Sequence, residues 1–417
     1  MGNKSINKLM SLLCIITLLS VFAAPVLTSS NVFANTSISY YVSPEGNDQN
    51  SGTQQEPFGT LEGARNAIRT LKSSSSLPAG GVTVYLREGT YNMSSSFELT
   101  AEDSGTESSP IIYKAYNGED VRIMGGYDID STGFVGVTDQ TILNRLPAES
   151  RDKVLQIDLN TQGISQYGEI SKAGFGWPKL PPAPELFINN KTMTLARYPN
   201  QGYMTTGSIN NQGFIPRNHV DDDPSDPGYV SPDEYINQQG PIFSYSDTRA
   251  SRWTDEDEIW LFGYWKWDWA DDNLKIKNLN TSSKQIEADH PSFYGISSGK
   301  RYFAYNLLSE IDMPGEWYLD RTSGILYIYP EGDLASSKIQ LSTLDVPLIR
   351  MAGTSYVTIE DITFELSRSD GIHMTNADNN LIAKCTFRRL GQRAVVIGDP
   401  SSIGHSTNDP ATIPDGG

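Results

Sequence analysis

The chain has 417 residues, with 32 Lys and Arg against 50 Asp and Glu, a formal net charge of −18, four histidines and two cysteines. That charge argues against a nucleic-acid partner or an anionic membrane surface, both of which attract clustered Lys and Arg. It also makes a strongly acidic polymer a less natural partner, unless a local basic patch or a bound cation intervenes.

The first residues have the order of an export signal. Lys4 and Lys8 precede an apolar run from Leu9 to Ala24, and Val32-Phe33-Ala34 offers a cleavage site, so residues 1–34 are expected to be removed from a secreted protein. The apolar run is shorter than the ~20 residues of a spanning helix, which leaves no membrane segment after cleavage. Cys14 departs with the signal. Cys385 then has no intramolecular partner, and core burial must supply the stability.

Residues 35–179 are expected to form an N-terminal cap and the first turns of a coil. Tyr40-Tyr41-Val42 reads as a short strand. Leu61 to Lys72 follows as an amphipathic helix with Thr60 as its N-cap, placed to cover an open end of stacked strands. Short strands come next at Val82–Leu86, Gly89–Tyr91, Phe97–Leu99, Ile111–Ala115 and Val121–Ile123, parted by turns such as Asn117-Gly118. Residues 180–340 change character: longer alternating strands, loops rich in Pro, Asp, Asn and Gly, and six of the seven tryptophans indicate an inserted β-sandwich-like domain.

Residues 341–398 resume the coil and define it. Ile359, Ile362, Phe364, Gly371, Ile372 and Met374 recur 23 positions later as Ile382, Cys385, Phe387, Ala394, Val395 and Ile397. A period of this length, with apolar inward positions and no Leu-x-x-Leu-x-Leu signature, indicates a stacked solenoid of short strands. The fold class expected is therefore all-β: a right-handed parallel β-helix with an N-terminal capping helix and the inserted domain. Residues 399–417 form a Ser/Pro/Gly/Asp tail. Because it leaves the last coil uncapped, the sequence is expected to be a C-terminally truncated fragment.

Several motifs carry a family resemblance. Tyr41-Val42-Ser43-Pro44 with Gly46-Asn47-Asp48, and Asp103-Ser104-Gly105-Thr106 with Gly125-Gly126, resemble secreted β-helix carbohydrate enzymes. Glu185-Leu186-Phe187-Ile188-Asn189, Leu195 to Asn200, and Asn306 to Asp312 with Pro314 to Tyr318 are similar to glycoside hydrolase family 141, with family 120 a near alternative. The resemblance implies a secreted protein acting on polysaccharide or oligosaccharide, xylan- or fucose-containing glycans among them. It also implies catalytic carboxylates on coils that follow the insertion, beyond those present here.

Within the chain, Asp370 at a coil turn is the best catalytic candidate, although an Asp before Gly is as a rule a turn residue. His373 on the next strand is expected to face outward, as a substrate contact or a plain surface residue. Trp265, Trp267 and Trp269 alternate as if along one strand face, which suits either sugar stacking or a sandwich core. Asp268, Asp271 and Asp272 could hold a divalent cation or form a turn. Glu310, Asp312 and Glu316 are expected to join the insertion to the coil. No cofactor is expected, calcium having no positive support, and the protein is expected to be a monomer. Two further readings stand beside the hydrolase: a polysaccharide lyase of the β-helix type, and a non-catalytic glycan-binding or adhesion protein.

Overall fold

The computed structural model describes residues 37–177 and 180–398. The expected signal, with Cys14, and the expected tail 399–417 lie outside these residues. The chain from Ser37 onward clusters as one compact unit. Among the described residues, no helix is long and apolar enough to cross a membrane.

The fold is all-β, and its first principle is a three-sided coil of parallel sheets. One sheet carries Ile38–Val42, Val82–Leu86, Ile111–Ala115, Val357–Glu360 and Leu381–Ala383 in that order. A second carries Gly89–Asn92, Val121–Met124, Thr363–Ser367 and Thr386–Leu390. The third carries Phe97–Thr100, Ile349–Ala352, Ile372–Thr375 and Val395–Ile397. Each turn of the chain thus gives one strand to each sheet. The register follows the sequence repeat: Ile359 pairs with Ile382, Phe364 with Phe387, and Ile372 with Val395.

Alternation makes this geometry. Strand side chains point to opposite faces in turn, so Val82, Val84 and Leu86 enter the core while Thr83 and Tyr85 face out. Like residues then stack turn on turn, as in the Phe364–Phe387 ring pair at 5.1 Å. Single left-handed residues help make the corners, and these recur with the same step: Tyr356 and Asn379, Asp361 and Lys384, Leu366 and Arg389 all have positive φ. Cys385 packs, half-buried, against this core, where burial raises its thiol pKa. The helix Leu61–Ser74 starts where Thr60 accepts from the Gly63 amide, and its Leu61, Ala64 and Ile68 join the coil core.

The coil is interrupted in its second turn, between Val121–Met124 and Ile349–Ala352. The outgoing strand Gly126–Ile129 pairs antiparallel with the returning Ile339–Ser342, forming a neck. Antiparallel pairing therefore begins at Gly126 and also takes in Val135–Gly136 and Leu155–Asp158, a wider stretch than 180–340. Beyond the neck, a five-stranded and an eight-stranded sheet follow. The core of the eight-stranded sheet contains Trp253, Trp265, Leu261, Leu274 and Tyr302, so it is richer in aromatic rings than the largely aliphatic core of the coil.

Candidate functional site

A cleft of about 840 Å³ opens where the antiparallel region meets the coil. Met93, Ser94 and the returning segment Thr343-Leu344-Asp345 supply the coil side. Glu258, Trp260, Lys275, Asp289 and Arg321 supply the opposite side, and an irregular strap, Gln166 to Lys172, runs across it.

Alternation on the eight-stranded sheet delivers the aromatic wall. Leu261 turns into the core, while Trp260 on the other face stands opposite Lys275 and Tyr305. Trp260 is almost fully buried, yet its Nε1 has no hydrogen-bond partner among the described residues. Arginines tie the strap down. Arg321 Nε donates to the Gly168 carbonyl at 2.8 Å, and Arg368 donates to the carbonyls of Pro182 and Glu169. Desolvation lowers the pKa of both guanidiniums, that of Arg368 to about 10.

Four carboxylates line the cleft, in two settings. Glu258 lies 3.3 Å from Lys275 and 3.4 Å from Arg321, and Asp289 lies 3.3 Å from Lys172. Glu169 and Asp345 are exposed and form no ion pair among the described residues. Their oxygens are not committed to a cation, which is what a carboxyl needs in order to exchange a proton with a bound molecule.

The residues singled out from the sequence do not converge here. Asp370 is buried, and Arg393 holds it in a bidentate pair at 2.9 Å from both Nε and Nη2. This pair links one turn of the coil to the next. His373 does not stand free in a groove: it lies half-buried between Arg350 and Val396, with Nε2 3.0 Å from the Gly398 carbonyl. The three tryptophans share no strand face, since the strand Trp260–Gly263 ends before them. Trp265 is core, donating to the Asp272 carbonyl at 3.0 Å and stacking on Tyr302, so it offers no sugar platform. Trp267 and Trp269 are 48% and 57% exposed.

The acidic groups are also redistributed. Asp272 is buried, accepting from Trp177 Nε1 and the Phe293 amide at 3.1 Å each, while Asp268 lies 3.7 Å from Lys300. Among the described residues, no group of three or more His, Cys, Asp or Glu side chains is arranged to hold a metal ion. Glu310 and Asp312 do not bridge to the coil. Both bind Arg249, Glu310 accepts from Trp253 Nε1 at 2.7 Å, and Asp312 accepts from Asn200, all within the antiparallel region. Glu316 caps the Asp312 and Met313 amides, and burial raises its pKa to about 7.

Sequence reasoning missed Glu169, Glu258, Trp260, Arg321 and Asp345. One signal was available: Asp345 stands one 23-residue step before Arg368, in phase with the coil turn. The strap has no periodicity that could have placed Glu169.

No known family model matches the sequence. An 85-residue stretch is 42% identical to the uncharacterized protein YwoF of Bacillus subtilis, covering 20% of this chain and 15% of that protein. A 113-residue stretch is 34% identical to pectate lyase PEL9 of Emericella nidulans, covering 26% of this chain and 25% of that one. A solved structure described as a glycoside hydrolase superposes with a TM-score of 0.54 at 19% identity, over 79% of this chain and 51% of its own. The matches thus span a quarter or less of the two sequence relatives and about half of the solved structure. At 19% identity, the structural likeness concerns the fold.

Proposed function

We propose that this chain is the architectural core of a secreted, monomeric carbohydrate-active protein, a glycoside hydrolase of the family-141 kind acting on xylan- or fucose-containing glycan. The coil is read as a right-handed parallel β-helix, the hand that parallel crossovers take in about 98% of cases. The observation that carries the functional reading is the cleft itself. It is large enough for several sugar rings and is lined by Glu169 and Asp345, which form no ion pair among the described residues. Glycoside hydrolysis uses two carboxyl groups on either side of the scissile bond, one donating a proton and one ionised. Glu169 on the strap and Asp345 on the coil side each supply a carboxyl to the cleft.

Glu169→Gln and Asp345→Asn, assayed on soluble xylan and fucosylated oligosaccharides by reducing-end release, are each expected to lower turnover by roughly 100-fold or more. Turnover unchanged in both variants removes them from the chemistry. The lyase reading draws on the likeness to the named pectate lyase and on the two desolvated arginines beside the strap. Polygalacturonate in the same panel, followed by the ultraviolet absorbance of an unsaturated product, separates elimination from hydrolysis.

A further inference from the structure

Outside the cleft, two exposed aromatic rings are locked together with a third that is partly buried. Phe175 is 51% and Trp269 57% exposed, and their rings meet edge to face at 5.1 Å and 83°. Tyr294 closes the group, 5.4 Å from Trp269 at 73°. Buried groups support them from beneath: Phe293 packs on Tyr294, and Trp177 packs on Phe293. The Phe175 amide donates to the Asp271 carbonyl at 2.8 Å, and the Asp272 carboxylate ties Trp177 to Phe293.

Half-exposed aromatic area costs about 25 cal/mol per Å² left in water. Two such rings, flanked by Tyr294 and held by buried supports, are an apolar patch of the kind that marks a binding surface. With about half of 150–250 Å² open on Phe175 and on Trp269 and less on Tyr294, the patch stays below the roughly 800 Å² per partner that a stable protein interface buries. Rings fixed in advance lose little side-chain entropy on binding, and an aromatic face stacks on the C–H face of a sugar ring.

We propose that Phe175, Trp269 and Tyr294 form an outer glycan subsite that holds the same polymer chain whose next units lie in the cleft. This inference rests on the glycan reading of the cleft. Two segments connect the places. Phe175 follows the cleft residue Lys172 by three positions, and Tyr294 follows the cleft residue Asp289 by five. At no more than ~3.6 Å per residue, the platform stands within ~11 Å of Lys172 along the strap and within ~18 Å of Asp289. A polymer seated in the cleft can span a gap of that size. The occupant is a stretch of glycan held through the C–H faces of its sugar rings, since the aromatic rings offer no charge of their own.

The test is affinity electrophoresis of the full chain in gels containing soluble xylan or polygalacturonate, with tryptophan fluorescence as a second readout. The double variant Phe175→Ala/Trp269→Ala is expected to bind the retarding polymer roughly tenfold more weakly. Tyr203→Ala, which removes a 44% exposed aromatic elsewhere, keeps wild-type retardation. Binding should shift wild-type emission to the blue, and Trp269→Ala should diminish the shift. Retardation of the double variant equal to wild type overturns the platform and leaves the cleft reading standing. If neither polymer retards the wild type, both readings fall.

Discussion

In the coil, an inward side chain meets its counterpart 23 positions away, as Phe364 meets Phe387. In the antiparallel region, the partners are remote: Gln340 bonds to Asp128, 212 positions earlier. The two regions also treat charge differently. Both bury carboxylates, but the coil holds Glu365 with Arg388 and Arg389 and Asp370 with Arg393, all from the next turn. The antiparallel region buries Glu310 beside Trp253 and Asp272 beside Trp177. A repeat can be extended by adding turns, whereas a single-copy region needs specific polar links to fix which strands meet.

Removing one such link gives the largest expected effect. Glu310→Ala leaves the buried Trp253 N–H without its acceptor and Arg249 with Asp312 alone, and is expected to cost about 1–3 kcal/mol, read as a lower urea midpoint. A loss under about 1 kcal/mol would mean that this link does not hold the region together.

The two regions should also respond oppositely to pH. Burial raises Asp272 to about 7 from an ordinary 3.8. The folded state therefore holds a proton that the unfolded state has lost, and stability falls as pH rises between those values. Asp272→Asn, which mimics the neutral acid, should flatten that fall in thermal melts across the interval. Glu365 has the other sign. Burial alone would raise its pKa, but Arg388 and Arg389 lower it overall. Its contribution is present above the ordinary carboxylate range and is lost as pH falls through its depressed pKa, so Glu365→Gln should reduce the loss on acidification. Slopes of the same sign for both residues would contradict the contrast.

The smallest expected effect is at a coil corner. Asp361 holds φ at 58° and shows no side-chain hydrogen bond among the described residues. Asp361→Gly relieves the left-handed strain but adds unfolded-state entropy, for a net gain of up to about 1 kcal/mol in chemical unfolding. A loss larger than that would show that the corner depends on the Asp side chain.

The coil was legible because its neighbours are encoded by period. The strands from Val82 to Met124, the Thr60 N-cap and the 23-residue step are all local or repeated patterns. The tryptophans were misread for the converse reason. Alternation over Trp265, Trp267 and Trp269 looks like a strand face, but the chain turns there, burying the first and exposing the other two. Asp370 looked available because its sequence context is a turn, and nothing local shows that Arg393, one turn on, encloses it.

The sequence alone determined the all-β class, the helix Leu61–Ser74 and the stacking register of the repeats. Hydrophobic alternation and repeat length act over a few residues or one fixed step. Only the tertiary structure decided where the neck forms, which carboxylates line the cleft, and that Trp260, the strap and the coil turn at Asp345 share one space. Those residues come from segments far apart in the chain, and their meeting depends on long-range pairing that no local pattern encodes.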